Sequence, residues 1–487
     1  MDMSLRKRIV SGPLALLAVA LGVIGCMVFA DTSSAVEPPE GVACVAADGK
    51  ISGRGATFQE RAQQTIFIPA YREDVCGPTP GKPEDVAGNN MLTYNYKAAQ
   101  EGSGTGSGAG IKAASCRTDA YAASDIPYTE ANLKEMDGAP GATGGCGILF
   151  EPPFQPKPKP WPAALDTEAK VMSFPVAGSD VSPVVNLTKK TCEETEPPKS
   201  LNFTAKELSR IFGGDAKTWN DAELVTTNAG LAKCSGVITR VVRQDSSGTT
   251  NIFKQFLIRG DAARAGATCG FVGEDKWENY FTTNTEWPGF TKKHLLSEEG
   301  TCSALVTGVK SGNGELLNKL KETEGGIGYA DLNEAEGSGL LLPNVRNGTN
   351  TSFQPPASGK AANCTFTVIG LPGATPEEAV GLNTENNWGN NNAEVNGTGN
   401  HENVTDEGPK FPICGITFMF VYSGLNSNNG EGKGPISRLT ADQRRTLYSY
   451  ALYVLSLNAQ GRLGSSFYAP LPTAWLPVLS QGVREGF

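Results

Sequence analysis

The sequence predicts an α/β fold, because one local plan recurs along the chain: a strand, a turn of Gly, Ser and Thr, and then a helix. The plan covers residues 51–71, 92–111 and 237–257. The 58 Gly and 31 Pro among 487 residues predict many short elements joined by turns. Turns that follow strands lie at the edge where open α/β sheets bind ligands.

The most informative turn is Arg243–Thr250, which apolar residues at helical spacing follow at 252, 253, 256 and 257. A helix start offers unpaired N–H groups and a partial positive charge, and both favour an anion. Gly248 lets the backbone approach a ligand closely, and Arg243 adds a bidentate guanidinium that Asp245 is placed to hold. The alternative interpretation is a serine-rich helix cap beside a surface ion pair.

Composition indicates a folded chain of two or three domains, with 39% hydrophobic and 19% charged residues. The net charge of −9 argues against a nucleic-acid partner, and no run interleaves basic and aromatic residues. Long-range attraction therefore cannot explain the capture of an anion. Local dipoles and hydrogen bonds would have to do so.

Residues 1–35 are expected to be an export signal, with basic Arg6–Arg8 before the apolar stretch 14–30. The sequence Val23–Cys26 fits a lipoprotein box that would leave a lipidated Cys26, whereas Ala30 and Ala35 fit ordinary cleavage. No other apolar run is long enough to span a membrane. We expect an exported protein at the cell surface, in the periplasm or outside the cell, with lipid anchoring left open.

The cysteines support export, because ten of the eleven remain when Cys26 is set aside, with no C-x-x-C pair. Up to five disulfides in an oxidising compartment are the natural interpretation, and buried free thiols are the alternative. Connectivity does not follow from sequence. Pairs close in sequence are only candidates: Cys44–Cys76, Cys116–Cys146 and Cys364–Cys414.

Two capping boxes, Thr204–Glu207 and Thr440–Gln443, mark helix starts. The second opens a long helix whose apolar face is expected in the core: Leu447, Tyr450, Ala451, Val454 and Leu455. The Pro-rich stretch 152–162 is predicted to be a stiff connector, and the Asn- and Gly-rich stretch 383–406 a flexible surface insertion.

Seven segments occur in the order found in one known family, between about residues 51 and 475. They are Gly53–Phe58, Gly106–Ile111, Ala123–Pro127, Ile211–Gly214 with Trp219–Asp221, Arg243–Thr250, Gly326–Tyr329 and Tyr468–Pro472. On these segments the chain resembles the phosphate-binding proteins of bacterial phosphate ABC importers, within the periplasmic-binding-protein superfamily. Each segment alone is weak, and their common order carries the resemblance.

The resemblance implies a two-lobed fold of the class II type, with a ligand cleft between the lobes. Lobe 1 would combine residues 44–172 and 330–487, and lobe 2 would span 175–329, with crossings at 174–176 and 326–329. A monomer that delivers inorganic phosphate to a membrane permease is expected, with no cofactor, no metal and no catalytic activity.

The resemblance also implies the phosphate contacts. Thr57, Phe58 and Ser107 would donate from one wall, with Ser103 as an alternative register for Ser107. The other lobe would contribute Arg243, Ser247, Gly248 and Thr249. Asp125 would accept a hydrogen bond from the ligand's own proton and so reject sulfate, although a helix-cap or turn role is the simpler interpretation of this residue alone.

Several features depart from the family. Residues 59–61 replace a common proline, Gln244 and Ser246 replace smaller residues, and insertions occur near 75–90, 138–166, 271–300, 345–365 and 383–406. The alternatives are a binder of another oxyanion, a surface scaffold and a hydrolase on the same fold. A hydrolytic triad would depend on His294, since the second histidine, His401, lies in the Asn- and Gly-rich stretch. No nucleophile elbow or metal motif occurs in the sequence.

Overall fold

The architecture is known from a computed structural model. It describes residues 41–44, 49–76, 92–95, 106–116, 119–128, 171–260, 287, 305–309, 312–364, 366, 370–372, 375–381, 388, 408–422 and 439–487. The expected export signal, the Pro-rich connector and most of the insertion at 383–406 lie outside these residues. All of the elements below belong to one unit, Pro38–Phe487.

An eight-stranded sheet runs through the described residues, in the order β2-β1-β3-β13-β4-β8-β6-β7. Its strands are β1 Ile51–Gly55, β2 Leu92–Asn95, β3 Tyr121–Ser124, β4 Val171–Asn186, β6 Thr239–Arg243, β7 Leu305–Val309, β8 Gly326–Asp331 and β13 Cys414–Tyr422. β1, β2 and β3 are parallel to one another, and so are β6, β7 and β8. The sheet therefore contains two parallel groups, joined by the antiparallel strands β13 and β4.

The long strand β4 changes partner along its length. Residues Val171–Asp180 pair with β13, and residues Val181–Asn186 pair with β8. Burial explains its sequence, since 15 of its 16 residues are buried and a strand covered on both faces needs no polar alternation. The change of partner lies near the expected crossings, while the lobe boundaries themselves stay a prediction.

Three strand–turn–helix units lie where the sequence predicts them. The helices that follow β1, β2 and β6 are α1 Thr57–Arg61, α3 Ser107–Cys116 and α6 Gly248–Gly260. A π-helical turn extends α1 into α2 Ile68–Tyr71, and a second one ends at Cys76. The other helices are α4 Ala205–Gly213, α5 Ala222–Thr227, α7 Gly312–Glu322, α8 Leu332–Glu336, α9 Pro376–Ala379, α10 Ala441–Val454, α11 Leu457–Gly461 and α12 Trp475–Gly486.

Both predicted capping boxes are present. Thr204 and Glu207 cap α4 reciprocally, and Thr440 and Gln443 do the same for α10. The apolar face predicted for α10 is buried, as expected. Short strands complete the described elements: β5 Asn202–Phe203, β9 Asn344–Arg346, β10 Phe353–Gln354, β11 Ala357–Ser358 and β12 Ala361–Ala362.

The buried apolar residues form two large clusters and a small one. The first cluster draws on residues 42–177 and 332–487, and the second on residues 181–345. Ala56, Phe58, Phe411 and Ile413 also belong to the second cluster. The third, smaller cluster lies under α7 and β8, around Leu316 and Leu320.

Disulfides join Cys44 to Cys76, Cys192 to Cys234 and Cys364 to Cys414. Two of the three candidate pairs are therefore confirmed, and Cys192–Cys234 was not among them. The candidate pair Cys116–Cys146 stays a prediction, because Cys146 lies outside the described part of the chain. Of the helices described, none is both long and apolar enough to cross a membrane.

Candidate functional site

The predicted ligand residues come from the carboxyl ends of the two parallel groups of strands. We call Thr57, Phe58, Ser107 and Asp125 the first wall; they follow β1, β2 and β3. We call Arg243, Ser247, Gly248 and Thr249 the second wall; they end β6 or begin α6. Parallel strands carry their following turns at one edge, which brings the residues of the first wall together, whereas the residues of the second wall share a single turn.

In the first wall, Ser107 and Asp125 are directly bonded. The Ser107 Oγ accepts the backbone N–H of Asp125 at 3.0 Å and donates to its carboxylate Oδ2 at 3.1 Å. Thr417 of β13 donates to the other oxygen, Oδ1, at 2.9 Å. The Asp125 side chain is only 1% exposed, so this carboxylate is held by hydroxyl groups rather than by water.

In the second wall, a buried ion pair fixes Arg243. Its Nε donates to Asp245 Oδ1 at 2.5 Å, and its Nη2 donates to the other oxygen of the same carboxylate. Its Nη1 donates to Asn313 Oδ1 at 2.8 Å. A guanidinium has five N–H donors, so these bonds leave one on each terminal nitrogen. The predicted pairing of Arg243 with Asp245 is thus confirmed, but the pair is buried rather than on the surface.

The remaining residues of the second wall begin α6. Ser247 Oγ accepts the backbone N–H of Thr250 at 3.2 Å, which is an ordinary helix-cap contact. Thr249 Oγ1 donates to Asp331 Oδ1 at 3.0 Å. The helix-cap interpretation is therefore correct for Ser247, and the ligand interpretation of this turn stays a prediction.

The two walls touch. The backbone N–H of Gly108, in α3, donates to the Ser246 carbonyl at 3.1 Å. A Cβ placed on Gly248 would lie 2.3 Å from Ser107 Oγ and 2.6 Å from Asp125 Cβ, so only glycine permits this approach. Asn313 reaches across to Thr57, with Nδ2 3.4 Å from Oγ1.

Phe58 also has a structural role. Its ring is fully buried in the second apolar cluster, and its carbonyl accepts the Tyr468 hydroxyl at 2.8 Å. The buried ring therefore anchors the start of α1. A ligand contact by its backbone N–H stays a prediction, and the alternative residue Ser103 lies outside the described residues.

Burial raises the pKa of Asp125 to about 7, against the lowering effects of its bonds to Thr417 and Ser107 and of the Arg243 charge. Burial also raises the pKa of Asp331 well above its usual range, and the charge of Asp125 raises it further. For Arg243, burial lowers the pKa, but the adjacent Asp245 carboxylate outweighs this and the pKa is raised. The guanidinium therefore stays charged, whereas burial favours the neutral form of both carboxyl groups.

Sequence reasoning missed three residues of this polar cluster: Asn313, Asp331 and Thr417. Asn313 lies between Gly312 and Gly314 after β7, which is a fourth strand–turn–helix unit that the sequence offered. Asp331 ends β8, two residues after the Gly326–Tyr329 segment that was assigned to a crossing. Thr417 is the one hydroxyl residue in the otherwise apolar first half of β13.

The cluster combines donors from both walls with three carboxyl groups, those of Asp125, Asp245 and Asp331, and such a set can hold a tetrahedral oxyanion that still carries a proton. The model of the PBP superfamily domain matches residues 84–365, more than half of the chain. The chain belongs to this superfamily, as the resemblance in the sequence implied.

The curated relatives described next are named as phosphate-binding proteins. The phosphate-binding protein PstS of Xylella fastidiosa is 31% identical over 209 residues, 43% of this chain and 48% of that protein. PstS 3 of Mycobacterium tuberculosis is 26% identical over 295 residues, 61% of this chain and 57% of that protein. The chain thus spans about half the length of the curated relatives it matches. These relatives are named as binding proteins, not as enzymes.

Solved structures agree on the fold. A high-affinity periplasmic phosphate-binding protein, PfluDING, bound with phosphate, superposes with a TM-score of 0.52 and 19% identity. A phosphate-binding protein from Stenotrophomonas maltophilia gives a TM-score of 0.52 and 15% identity. Each covers 89% of this chain and 93% of its own. The predicted α/β fold of the periplasmic-binding-protein kind is confirmed.

Proposed function

We propose that this protein captures inorganic phosphate between the two walls, outside the cytoplasm, for delivery to the permease of an ABC importer. The observation that carries the proposal is the buried Asp125 carboxylate, held by Ser107 and Thr417 and facing a second wall that contains Arg243. The matching relatives named as phosphate-binding proteins support the same ligand.

Donors for the anionic oxygens would come from both walls. Two guanidinium N–H groups of Arg243 remain for a ligand, and the start of α6 adds backbone N–H groups and a favourable dipole. Thr57, Ser247 and Thr249 are all at most 3% exposed, so their hydroxyl bonds would form away from competing water. Ser107 would donate its backbone N–H, because its hydroxyl hydrogen already goes to Asp125.

Selectivity would come from Asp125. A phosphate that keeps one O–H can donate it to the ionised carboxylate, whereas sulfate has no proton to donate near neutral pH. Two acceptors would then face each other without a hydrogen, which costs about 1–3 kcal/mol and more when both are charged. The site would exclude sulfate because sulfate lacks a proton, and not because of its size.

Two lobes would close on the ligand, with lobe 1 formed by 44–172 and 330–487 and lobe 2 by 175–329. The separate apolar clusters and the change of partner within β4 support this division. An anion that bonds both walls favours the closed arrangement, because only that arrangement offers all of its partners. Three disulfides and the basic, apolar N-terminal sequence support export, either free or tethered through Cys26.

The test is a calorimetric titration of the purified protein with phosphate, arsenate and sulfate at pH 8. We expect saturable binding of phosphate and of the equally protonated arsenate, and much weaker binding of sulfate. Asp125→Asn should lower the ratio of phosphate to sulfate affinity by about tenfold or more, since a carboxamide can donate to sulfate.

A matched control is Asp119→Asn. This carboxylate lies just before β3 but pairs with Arg54 at 2.6 Å, away from Ser107 and Thr417. We expect this variant to keep the wild-type ratio. Absence of heat with every oxyanion would instead favour a scaffold, release of phosphate from an ester would favour a hydrolase, and an unchanged ratio in Asp125→Asn would remove that residue from selectivity.

A further inference from the structure

Asp331 is a second fully buried carboxyl group in the polar cluster, at the end of β8. Its Oδ1 accepts the Thr249 hydroxyl at 3.0 Å, and its Oδ2 accepts the Asn313 amide. Asn313 in turn accepts from Arg243 and lies 3.4 Å from Thr57. Asp331 is thereby connected, through two side chains, to both walls.

The state of Asp331 decides what Thr249 can offer a ligand. A threonine hydroxyl has one hydrogen, and an ionised carboxylate can only accept. While Asp331 is ionised, the Thr249 hydrogen points to Oδ1, and an approaching anion meets lone pairs. If Oδ1 carries a proton, it donates to Thr249 Oγ1 instead, and the Thr249 hydrogen is free to turn toward the anion.

The charges around Asp331 favour its taking up a proton. Asp125 and Glu334 face it with like charge, and Arg243, the cation that faces it, is already engaged by Asp245. Tyr468 lies close enough for the Asp331 charge to raise its pKa. Burial and the Asp125 charge raise the pKa of Asp331 well above its usual range. An incoming anion would add further negative charge and strengthen this tendency.

We propose that Asp331 is a positioning residue that takes up one proton from solvent as phosphate binds, and so turns the Thr249 hydroxyl toward the ligand. The proton passes to Asp331 Oδ1, the hydrogen bond to Thr249 reverses direction, and the ligand gains a donor. Asp125 remains the acceptor for the ligand's own O–H. This inference rests on the proposed function and names how that site responds to pH.

Asp331→Asn is the informative variant. Its carboxamide oxygen can accept from Asn313 while its amino group donates to Thr249, which reproduces the protonated state at every pH. Phosphate titrations at pH 7.5 in two buffers of different ionisation enthalpy count the protons taken up on binding. We expect the variant to take up fewer protons than the wild type, with a difference of about 0.5–1 proton per phosphate.

The affinity should follow the same pattern. Between pH 6.5 and pH 8.5, we expect the wild-type affinity to fall more steeply than that of Asp331→Asn, by up to about tenfold per pH unit for one linked proton. The ionisation of phosphate itself is common to both proteins and cancels in the comparison. Thr249→Val removes the hydroxyl and should reduce proton uptake as well, and Asp331→Asn added to it should change uptake no further.

Asp180→Asn is the matched control, because Asp180 is also a fully buried carboxyl group whose pKa burial raises, and its described partners are Asn363 and Cys364. We expect it to keep the wild-type proton uptake. Equal uptake in wild type and Asp331→Asn, or an equal loss in Asp180→Asn, would overturn the inference. A wild-type protein that binds no phosphate would overturn the proposed function instead.

Discussion

The two walls present opposite chemistries. The first wall has hydroxyl groups around the Asp125 carboxylate, and Thr417 adds one more from β13. The second wall has the Arg243 guanidinium, but the Asp245 carboxylate takes two of its donors. The first wall follows three parallel strands, whereas the second wall follows β6 alone within the other parallel group. Both walls lie at the carboxyl ends of strands, and they differ in the residues placed there.

This difference teaches how an acidic protein can select an anion. The single guanidinium is fixed and largely neutralised by Asp245, so it offers directed hydrogen bonds more than net charge. In the proposed function, the carboxylate on the opposite wall decides which anion is tolerated. The chain carries a net charge of −9, which agrees with capture by local contacts rather than by long-range attraction.

The largest expected effect is on the cation of the second wall. Arg243→Ala should reduce phosphate affinity by about 2–4 kcal/mol, since it removes charge-assisted bonds from a water-free site. Arg243→Lys keeps the charge but loses the fork, so an intermediate loss is expected. Isothermal titration calorimetry measures both variants.

The control for this prediction is Arg210→Ala. Arg210 is also paired with acidic residues, Asp221 and Glu223, but its side chain is 27% exposed and lies outside the polar cluster. Its phosphate affinity should stay within about 0.5 kcal/mol of wild type. A loss as small as this for Arg243→Ala would place the guanidinium outside the binding site.

A smaller effect is expected on the carboxylate of the first wall, in the ligand-free protein. Burial raises the pKa of Asp125 to about 7 in the folded state, above its unfolded value near 4. The stability from this group is complete below pH 4 and is lost as the pH rises through 7. Between pH 5 and pH 7.5, wild type should lose about 2–3 kcal/mol more unfolding free energy than Asp125→Asn.

Urea unfolding at the two pH values measures this difference. Asp331, Asp180 and Glu334 also have raised pKa values and contribute in the same direction, so only the difference between the two proteins isolates Asp125. Parallel pH profiles would show that Asp125 is as easily ionised in the folded protein as in water.

The smallest expected effect is on the contact between the walls. A Cβ on Gly108 would lie 2.1 Å from Ser246 Oγ, so Gly108→Ala should hinder the approach of the walls and cost about 1–2 kcal/mol of phosphate affinity. Ser246→Gly in the same chain removes the obstacle and should restore most of the loss. Failure of that rescue in calorimetry would show that the two walls do not meet in the bound state.

Local sequence predicted the turns and helix starts that carry the two walls. Gly, Ser and Thr after an apolar strand have few structural roles other than a tight turn and a helix start. The sequence therefore predicted the units at α1, α3 and α6. The sequence also predicted the capping boxes at Thr204 and Thr440, because their hydrogen bonds join residues only three positions apart.

The missing members of the site were distant in sequence or ordinary in type. Thr417 is 292 residues from Asp125, and Asp331 is 82 residues from Thr249. A threonine in an apolar strand, or an aspartate after a strand, has many common structural uses. The disulfide Cys192–Cys234 was missed for a similar reason, since its pairing depends on where β5, α4 and the following turns bring the two cysteines.

The amino-acid sequence by itself determined the strand–turn–helix units, their caps, the pairing of Arg243 with Asp245 and the kind of ligand that such turns favour. Those properties depend on bonds and sterics within a few residues. Only the tertiary structure decided that Asp125, Thr417, Asn313 and Asp331 share one buried cluster. Their contacts, and the pKa values that burial raises, depend on the order of strands in the sheet and on the exclusion of water from between the walls.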